Sequence, residues 1–92
     1  MIDYDDYEIK PSKHFVMDYM RKWGFDIEDI RETLKKAYKL DKVGKIKYEA
    51  YSRIRSNSKK IIFVVYEDEK QIFIISGAEG KWELVKNVKR DI

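Results

Sequence analysis

The chain contains no cysteine and only one histidine among its 92 residues. Disulfides, thiolate catalysis and zinc sites built on thiolates are therefore excluded, and one histidine cannot form the usual multi-histidine metal site. The longest apolar run, residues 61–66, is far too short to cross a bilayer, and the acidic N-terminus lacks the basic-then-apolar order of a signal peptide. We expect no metal, no other cofactor, no membrane association and a cytoplasmic location.

Apolar and charged residues dominate the composition. A hydrophobic fraction of 43% favours a folded chain, and 92 residues are enough for a single domain, 1–92, with one core. Charged residues make up 40%, which is typical of a thermophile, an organism that grows at high temperature. Residues 45–60 contain six cations and one acid, a local net charge of +5 that favours a polyanionic partner.

Two helices are predicted in the first half of the chain. Ser12 is typical of a helix start, and Gly24 is a good residue for the left-handed position after a helix. Asp26 is a strong N-cap for a second helix. Residues 11–42 are therefore predicted to form a helical hairpin, and residues 1–9 before it form an edge strand or a frayed tail.

The second half changes to a period of two, which is typical of strands. Residues 45–76 predict three strands joined by tight turns, an antiparallel meander with residues 61–66 in the middle and the first strand toward the edge. Residues 77–92 form a C-terminal segment whose type the pattern does not define. We predict an α+β fold in which the two-helix hairpin packs on one face of a twisted antiparallel sheet of three to four strands.

The predicted sheet has a second face that the helices do not cover. Residues 61–66 and 72–75 offer apolar side chains to both faces, and an uncovered apolar face of this size favours a partner. Residues 82–88 of the same chain are one candidate for the cover, and a second copy of the chain in a homodimer is the other.

The strand over residues 45–55 alternates between two very different sides. One side carries Ile46, Tyr48, Ala50, Ser52 and Ile54, and the other carries Lys45, Lys47, Glu49, Tyr51, Arg53 and Arg55. Binding of RNA requires cations for the phosphates and a flat ring on which a base can stack. The predicted RNA-binding residues are Lys47, Tyr51, Arg53, Arg55, Lys59 and Lys60. The alternative is a solvated edge strand whose charges block edge-to-edge aggregation.

His14 is the only side chain of the sequence whose unperturbed pKa lies near neutrality. Asp18, one helical turn away, is placed to orient its ring, and Arg21 completes a polar stripe on the helix. The stripe is consistent with a general base. A solvated helix face explains the same pattern.

The order of these parts resembles the RelE/ParE-like toxin superfamily, in particular its BrnT-like members and small relatives. The resemblance covers roughly residues 10–77. It rests on the order and spacing of the following segments: Ser12-Lys13-His14, a helix ending in Trp23-Gly24-Phe25, the helix start Asp26-Ile27-Glu28-Asp29-Ile30, Gly44, and three strands ending in IFIIS.

This resemblance implies a toxin-type fold that acts on RNA. Active members of the family cut messenger RNA, often on the ribosome and without metal, with scattered Lys, Arg, Tyr or His side chains. By the resemblance, His14 matches the family's histidine, and Arg53 and Arg55 lie on a strand where such proteins place basic residues. The relatives carry an arginine one turn after the histidine, where this chain has Asp18.

Two functional hypotheses are therefore open. The first is a RelE-like protein that acts on RNA or the ribosome through the basic strand face, as a metal-independent endoribonuclease with His14, Arg53 and Arg55 as catalytic residues. The alternative is a non-catalytic module that binds RNA or a protein such as an antitoxin, alone or as a homodimer, with toxin activity lost.

Overall fold

The computed structural model describes residues 2–54 and 57–81. Helix α1 spans residues 13–23, and helix α2 is Ile27–Lys35. A 3-10 turn, Tyr4–Asp6, precedes the first strand. The strands are β1 (Glu8–Pro11), β2 (Lys39–Lys42), β3 (Lys47–Ile54), β4 (Asn57–Tyr66) and β5 (Gln71–Lys81).

Helix α1 begins after Ser12 and ends at Gly24, as the sequence predicts. The Ser12 hydroxyl accepts a hydrogen bond from the Phe15 N–H at 3.1 Å and donates one to the Ile75 carbonyl at 2.8 Å. The first bond caps the helix, and the second ties its start to strand β5. Gly24 has φ of 69°, the left-handed conformation that glycine adopts at low cost.

The middle of helix α1, Val16–Met20, is a π-helical turn, in which the Arg21 N–H bonds to the carbonyl of Val16, five residues back. The wider turn keeps residues spaced by four in one line along the helix. The rings of Phe15, Tyr19 and Trp23 accordingly stack in sequence, with centroid distances of 5.6 Å and 5.3 Å. This line of rings is the side of α1 that packs on the sheet.

Helix α2 has the predicted start and an earlier end. Asp26 accepts a hydrogen bond from the Asp29 N–H at 2.8 Å, and the Asp29 carboxylate accepts one from the Asp26 N–H at 3.0 Å, which forms a capping box. The helix stops at Lys35, so the prediction of helical structure up to residue 42 is wrong.

Strand β2 replaces the end of the predicted helix. Its partner is strand β3: the Tyr38 N–H donates to the Tyr51 carbonyl at 2.9 Å, and Leu40 lies opposite Ala50. Pairing with a neighbouring strand satisfies the backbone of residues 39–42, and this overrides the helical pattern of the local sequence.

The five strands form one mixed sheet in the order β1-β5-β4-β3-β2. Strands β2 to β5 are antiparallel to their neighbours, whereas β1 runs parallel to β5. The α+β class is therefore confirmed, and the predicted antiparallel sheet of three to four strands is replaced by a mixed sheet of five. Strand β3 is not an edge, because β2 covers its residues 48–51.

Both helices pack on the same face of the sheet, where the core lies. The buried apolar side chains between them are Ile9, Phe15, Ile30, Leu34, Ala50, Ile61, Phe63, Val65, Ile72 and Ile74. Side chains alternate along each strand, so the residues between these core positions point to the opposite surface, which we call the far face.

Within residues 2–54 and 57–81, no helix is long and apolar enough to span a membrane. The predicted cover of the second sheet face, residues 82–88, lies outside the described residues. Arg55 also lies outside the described residues. The cover of the far face therefore stays a prediction.

Candidate nucleic-acid interface

One row of four side chains crosses the far face of the sheet. Strand pairing places Lys10 opposite Phe73, Phe73 opposite Val64, and Val64 opposite Lys47. Residues that pair directly point to the same side of a sheet, so the four side chains form one line across strands β1, β5, β4 and β3. Neighbouring strands are about 4.8 Å apart, which puts the Cα atoms of the two lysines roughly 14 Å from each other. We call these four residues the cross-strand row.

Tyr66 lies beside the row. It pairs with Gln71, two residues from Phe73, and is therefore a diagonal neighbour of Phe73 on the far face. Phe73 is 37% exposed and Tyr66 41%, whereas Phe63 on the helix side of the same sheet is fully buried. Exposed rings on two neighbouring strands are a surface on which flat ligand groups can stack.

Both lysines of the row are accessible to a ligand. The Lys10 Nζ is 3.8 Å from Glu8 Oε1, and both side chains are more than half exposed, so this pair is weak. Lys47 is exposed and has no ion pair within the described part of the chain. An anionic group can therefore reach the ammonium groups at both ends of the row.

Tyr51, which was predicted to be an open ring for base stacking, is only 4% exposed. Its hydroxyl donates a hydrogen bond to Glu49 Oε1 at 3.0 Å. Burial raises the pKa of Tyr51 above its ordinary value, and the bond to Glu49 raises this pKa further. The prediction of a solvent-facing ring is therefore wrong. Tyr38 and Lys60 lie beside the Tyr51 ring, at 6.4 Å between the two ring centroids and 5.9 Å from the Lys60 Nζ to the Tyr51 centroid.

The two predicted cations Lys59 and Lys60 point to opposite sides of strand β4. Lys60 is on the far face, where its Nζ lies 3.8 Å from Glu49 Oε1. Lys59 is on the helix side, with its Nζ 4.8 Å from the centroid of the Trp23 ring and 3.5 Å from Glu79 Oε2. Both lysines are therefore neutralised by a carboxylate, and Lys59 helps to hold helix α1 on the sheet.

Arg53 is exposed near the end of strand β3, beyond the residues that β2 covers. It lines a groove of about 260 Å³ that also includes Asp29 and Glu32 of helix α2. Lys36 also lines this groove, so two cations lie beside two carboxylates, and this mixed lining does not favour a phosphate. Arg55 cannot be placed relative to it, because Arg55 lies outside the described residues.

His14 is on the exposed side of helix α1. Its Nδ1 is 2.7 Å from Asp18 Oδ2, the contact that their i, i+4 spacing predicts, and its ring meets the edge of Tyr19 at 5.8 Å between centroids. Helix α1 and the sheet lie between His14 and the far face. The structure therefore does not bring His14 together with the far-face cations Lys47 of strand β3 and Lys60 of strand β4.

A second groove, of about 460 Å³, lies where the β2–β3 loop meets the β4–β5 turn. Its floor contains Ile46, Tyr48 and Val65, and its rim carries two lysines and two carboxylates: Lys42, Lys45, Glu67 and Asp68. The opposite charges of this rim do not favour a polyanion. Within the described ranges, no three His, Asp or Glu side chains are grouped so that they could hold a metal ion.

Sequence reasoning missed three residues of the far-face surface: Lys10, Tyr66 and Phe73. Tyr66 and Phe73 lie in strands that are apolar on both faces, so periodicity does not show which rings are exposed. Lys10 reaches the surface through the parallel pairing of β1 with β5, and no local pattern signals that pairing.

Comparisons with models of protein families, with curated proteins and with solved structures found no match to this chain. The resemblance to the RelE/ParE-like superfamily therefore stays a prediction. What the protein binds has to be inferred from its own side chains.

Proposed function

We propose that the protein binds RNA on the far face of its sheet. The rings of Phe73 and Tyr66 stack on bases, and Lys10 and Lys47 bind the phosphates on either side. The observation that carries this proposal is the cross-strand row, because it places an exposed ring between two accessible cations on one surface.

Both kinds of contact are the ones that proteins use to recognise unpaired nucleotides. Bases stack on exposed aromatic side chains with about 1–3 kcal/mol per base. Lysines bind the phosphates and release counterions, which makes the affinity depend on salt. The whole chain, with 20 Lys and Arg against 17 Asp and Glu, has a net charge of +3, which also favours an anionic ligand.

Binding without cleavage fits the described residues better than catalysis does. A general base must come within hydrogen-bond reach of the proton it removes, and His14 with Asp18 lies on the other side of the sheet from the row. The finer hypothesis of a RelE-like, metal-independent endoribonuclease that pairs with an antitoxin stays a prediction.

Fluorescence anisotropy with a labelled oligouridylate of about ten nucleotides tests the proposal, at salt concentrations between about 50 and 200 mM. We expect binding that weakens steeply with salt and that is reduced in the double variant Lys10→Ala/Lys47→Ala. The matched control is Lys13→Ala/Lys36→Ala, which removes one exposed lysine from helix α1 and one that directly follows helix α2, and it should bind like the wild type.

The proposal fails if the oligouridylate does not bind at about 50 mM salt, where electrostatic binding is strongest. It also fails if the two double variants lose affinity equally, since binding would then reflect net charge alone. The other candidate for the far face is a second copy of the chain, because a homodimer closed through Phe73 and Tyr66 would bury both rings. Sedimentation of the free protein at several concentrations tests for this dimer.

A further inference from the structure

The geometry points to a more specific ligand, and this inference rests on the proposed function. We infer that the far face takes a single strand whose bases are unstacked from each other, with two consecutive nucleotides on Phe73 and Tyr66. The strand crosses the sheet between Lys10 and Lys47. A base-paired duplex does not fit this site.

The spacing of the two rings is the first reason. Phe73 and Tyr66 are diagonal neighbours on strands β5 and β4, and such residues are about 7 Å apart. Bases that remain stacked in a helical strand follow each other at about 3.4 Å. Two bases can therefore occupy both rings only if they have separated from each other.

The shape of the surface is the second reason. Phe73 stands on the sheet with Lys10 on one side and Val64 and Lys47 on the other, and Tyr66 lies beside this row. In a duplex the faces of the bases are hidden in the stack, so a ring on a sheet surface reaches only the backbone and the groove edges. Stacking on Phe73 and Tyr66 is available only to nucleotides without a pairing partner.

The distance between the two lysines limits the length of the strand. Roughly 14 Å separates their Cα atoms, since three inter-strand spacings of about 4.8 Å lie between β1 and β3. Two bases occupy the rings within this span, and the phosphates that flank them reach Lys10 and Lys47. Beyond these contacts, a longer strand gains only additional registers in which it can bind.

The test compares oligouridylates of two, four, eight and twelve nucleotides with an RNA duplex of twelve base pairs, all binding to the full chain at one salt concentration. We expect affinity to rise steeply up to four nucleotides and then by no more than roughly ninefold from four to twelve, since a four-nucleotide site has about nine registers in a twelve-nucleotide strand. The duplex should bind more weakly than the twelve-nucleotide strand by at least about fivefold, because it loses the stacking of at least one base.

The variant Phe73→Leu keeps an apolar side chain in the strand and removes the ring. It should weaken binding of the four-nucleotide strand by roughly 5- to 150-fold, and Phe73→Tyr should weaken it less. Met17→Ala is the matched control, because Met17 is an exposed apolar side chain on helix α1, away from the row. Far-UV circular dichroism and thermal melts show whether each variant is folded.

The outcomes separate this inference from the proposed function. If the duplex binds as tightly as the single strand, or if affinity rises between four and twelve nucleotides by clearly more than the roughly ninefold that additional registers supply, the inference is overturned while RNA binding on the far face stands. If Phe73→Leu and Met17→Ala bind alike, the ring does not stack and the inference is also overturned. If no strand binds at any length, the proposed function itself fails.

Discussion

The indole Nε1 of Trp23 donates a hydrogen bond to Glu79 Oε2 at 2.6 Å and so links the end of helix α1 to strand β5. The same carboxylate lies 2.7 Å from the Nζ of Lys22 and 3.5 Å from that of Lys59. Lys22, and then Trp23, hold the pKa of Glu79 below its ordinary value, against the opposing effect of burial. Glu79 thus fixes the end of α1 on strand β5, as the Ser12 hydroxyl fixes its start through a hydrogen bond to the same strand.

The variant Glu79→Gln should lower the free energy of unfolding by about 1–2 kcal/mol at pH 7, because the bonds to a charged acceptor are lost. A carboxylate with a lowered pKa in the folded state contributes stability above the pKa of the unfolded state, about 4.3, and loses it as the pH falls further. The difference between wild type and variant should therefore shrink below that pH. Urea unfolding between about pH 3 and 7 measures it.

The control for this prediction is Glu69→Gln, which changes an exposed turn carboxylate with no ion pair among the described residues. Its unfolding free energy should follow that of the wild type. If the wild type and Glu79→Gln differ in unfolding free energy by the same amount at pH 3 and pH 7, the negative charge of Glu79 does not stabilise the fold.

Gly77 is required by close packing where strand β5 passes under helix α1. A Cβ atom at this position would lie 3.0 Å from the Lys60 carbonyl oxygen, 3.1 Å from Phe15 Cε1 and 3.3 Å from the Trp23 ring. Backbone and core rings cannot move far, so Gly77→Ala should cost about 1–3 kcal/mol of unfolding free energy. Urea denaturation measures this cost.

Gly24→Ala is the matched comparison for Gly77→Ala. A Cβ at Gly24 would meet no atom within 4 Å, but the residue has a positive φ, so alanine should cost only about 1 kcal/mol. If Gly77→Ala turns out as stable as the wild type, the close approach of β5 to helix α1 is incorrect.

Tyr51 should make the protein lose stability at alkaline pH. A group whose pKa is raised in the folded state contributes stability that is complete below the pKa of the unfolded state, about 10 for tyrosine, and is lost as the pH rises above it. The stability advantage of wild type over Tyr51→Phe should be constant up to about pH 10 and fall beyond it. Urea unfolding at a series of alkaline pH values tests this. A stability advantage of the wild type over Tyr51→Phe that stays unchanged above about pH 10 would contradict the burial of the Tyr51 hydroxyl.

Lys47 and Lys60 both lie on the far face, but removing each of them should have a different effect on RNA binding. Lys47 has no ion pair in the described part of the chain, whereas Lys60 is 19% exposed and lies 3.8 Å from Glu49. We expect Lys47→Ala to weaken RNA binding and to reduce the slope of log affinity against log salt by about 0.7. Lys60→Ala should leave that slope unchanged and lower thermal stability, because it leaves the Glu49 carboxylate without its cation.

An equal loss of slope in both variants would show that Lys60 releases Glu49 to bind RNA. The original prediction that Lys60 contacts RNA would then be correct, and the cross-strand row would be only part of the interface.

The local sequence was sufficient to predict the helix boundaries that depend on neighbouring residues. Ser12, Gly24 and Asp26 act within one helical turn of their own position, and each is found in its predicted role. The meander after Gly44 was predicted for the same reason, since consecutive antiparallel strands pair across short turns.

The missed features depend on partners that are distant in sequence. Residues 39–42 were predicted to be helical, and only their pairing with β3 makes them a strand. Tyr51 alternates with Ala50 and Ser52 as predicted, but all three residues are buried, and a period-two pattern cannot show that both sides of the strand are covered at this point. The exposure of Phe73 within an apolar strand likewise depends on which face the helices cover.

The parallel pairing of β1 with β5 limits the order in which the parts of this protein can fold. Glu8 faces Gln71, so the first strand has no partner until almost the whole described chain has been synthesised. Contacts of such long separation slow folding, because the chain must close a long loop before they form. The antiparallel hairpins can assemble first, and the N-terminal segment joins them last. Lys10 then completes the cross-strand row, so the nascent protein acquires its proposed RNA surface only at the end of folding.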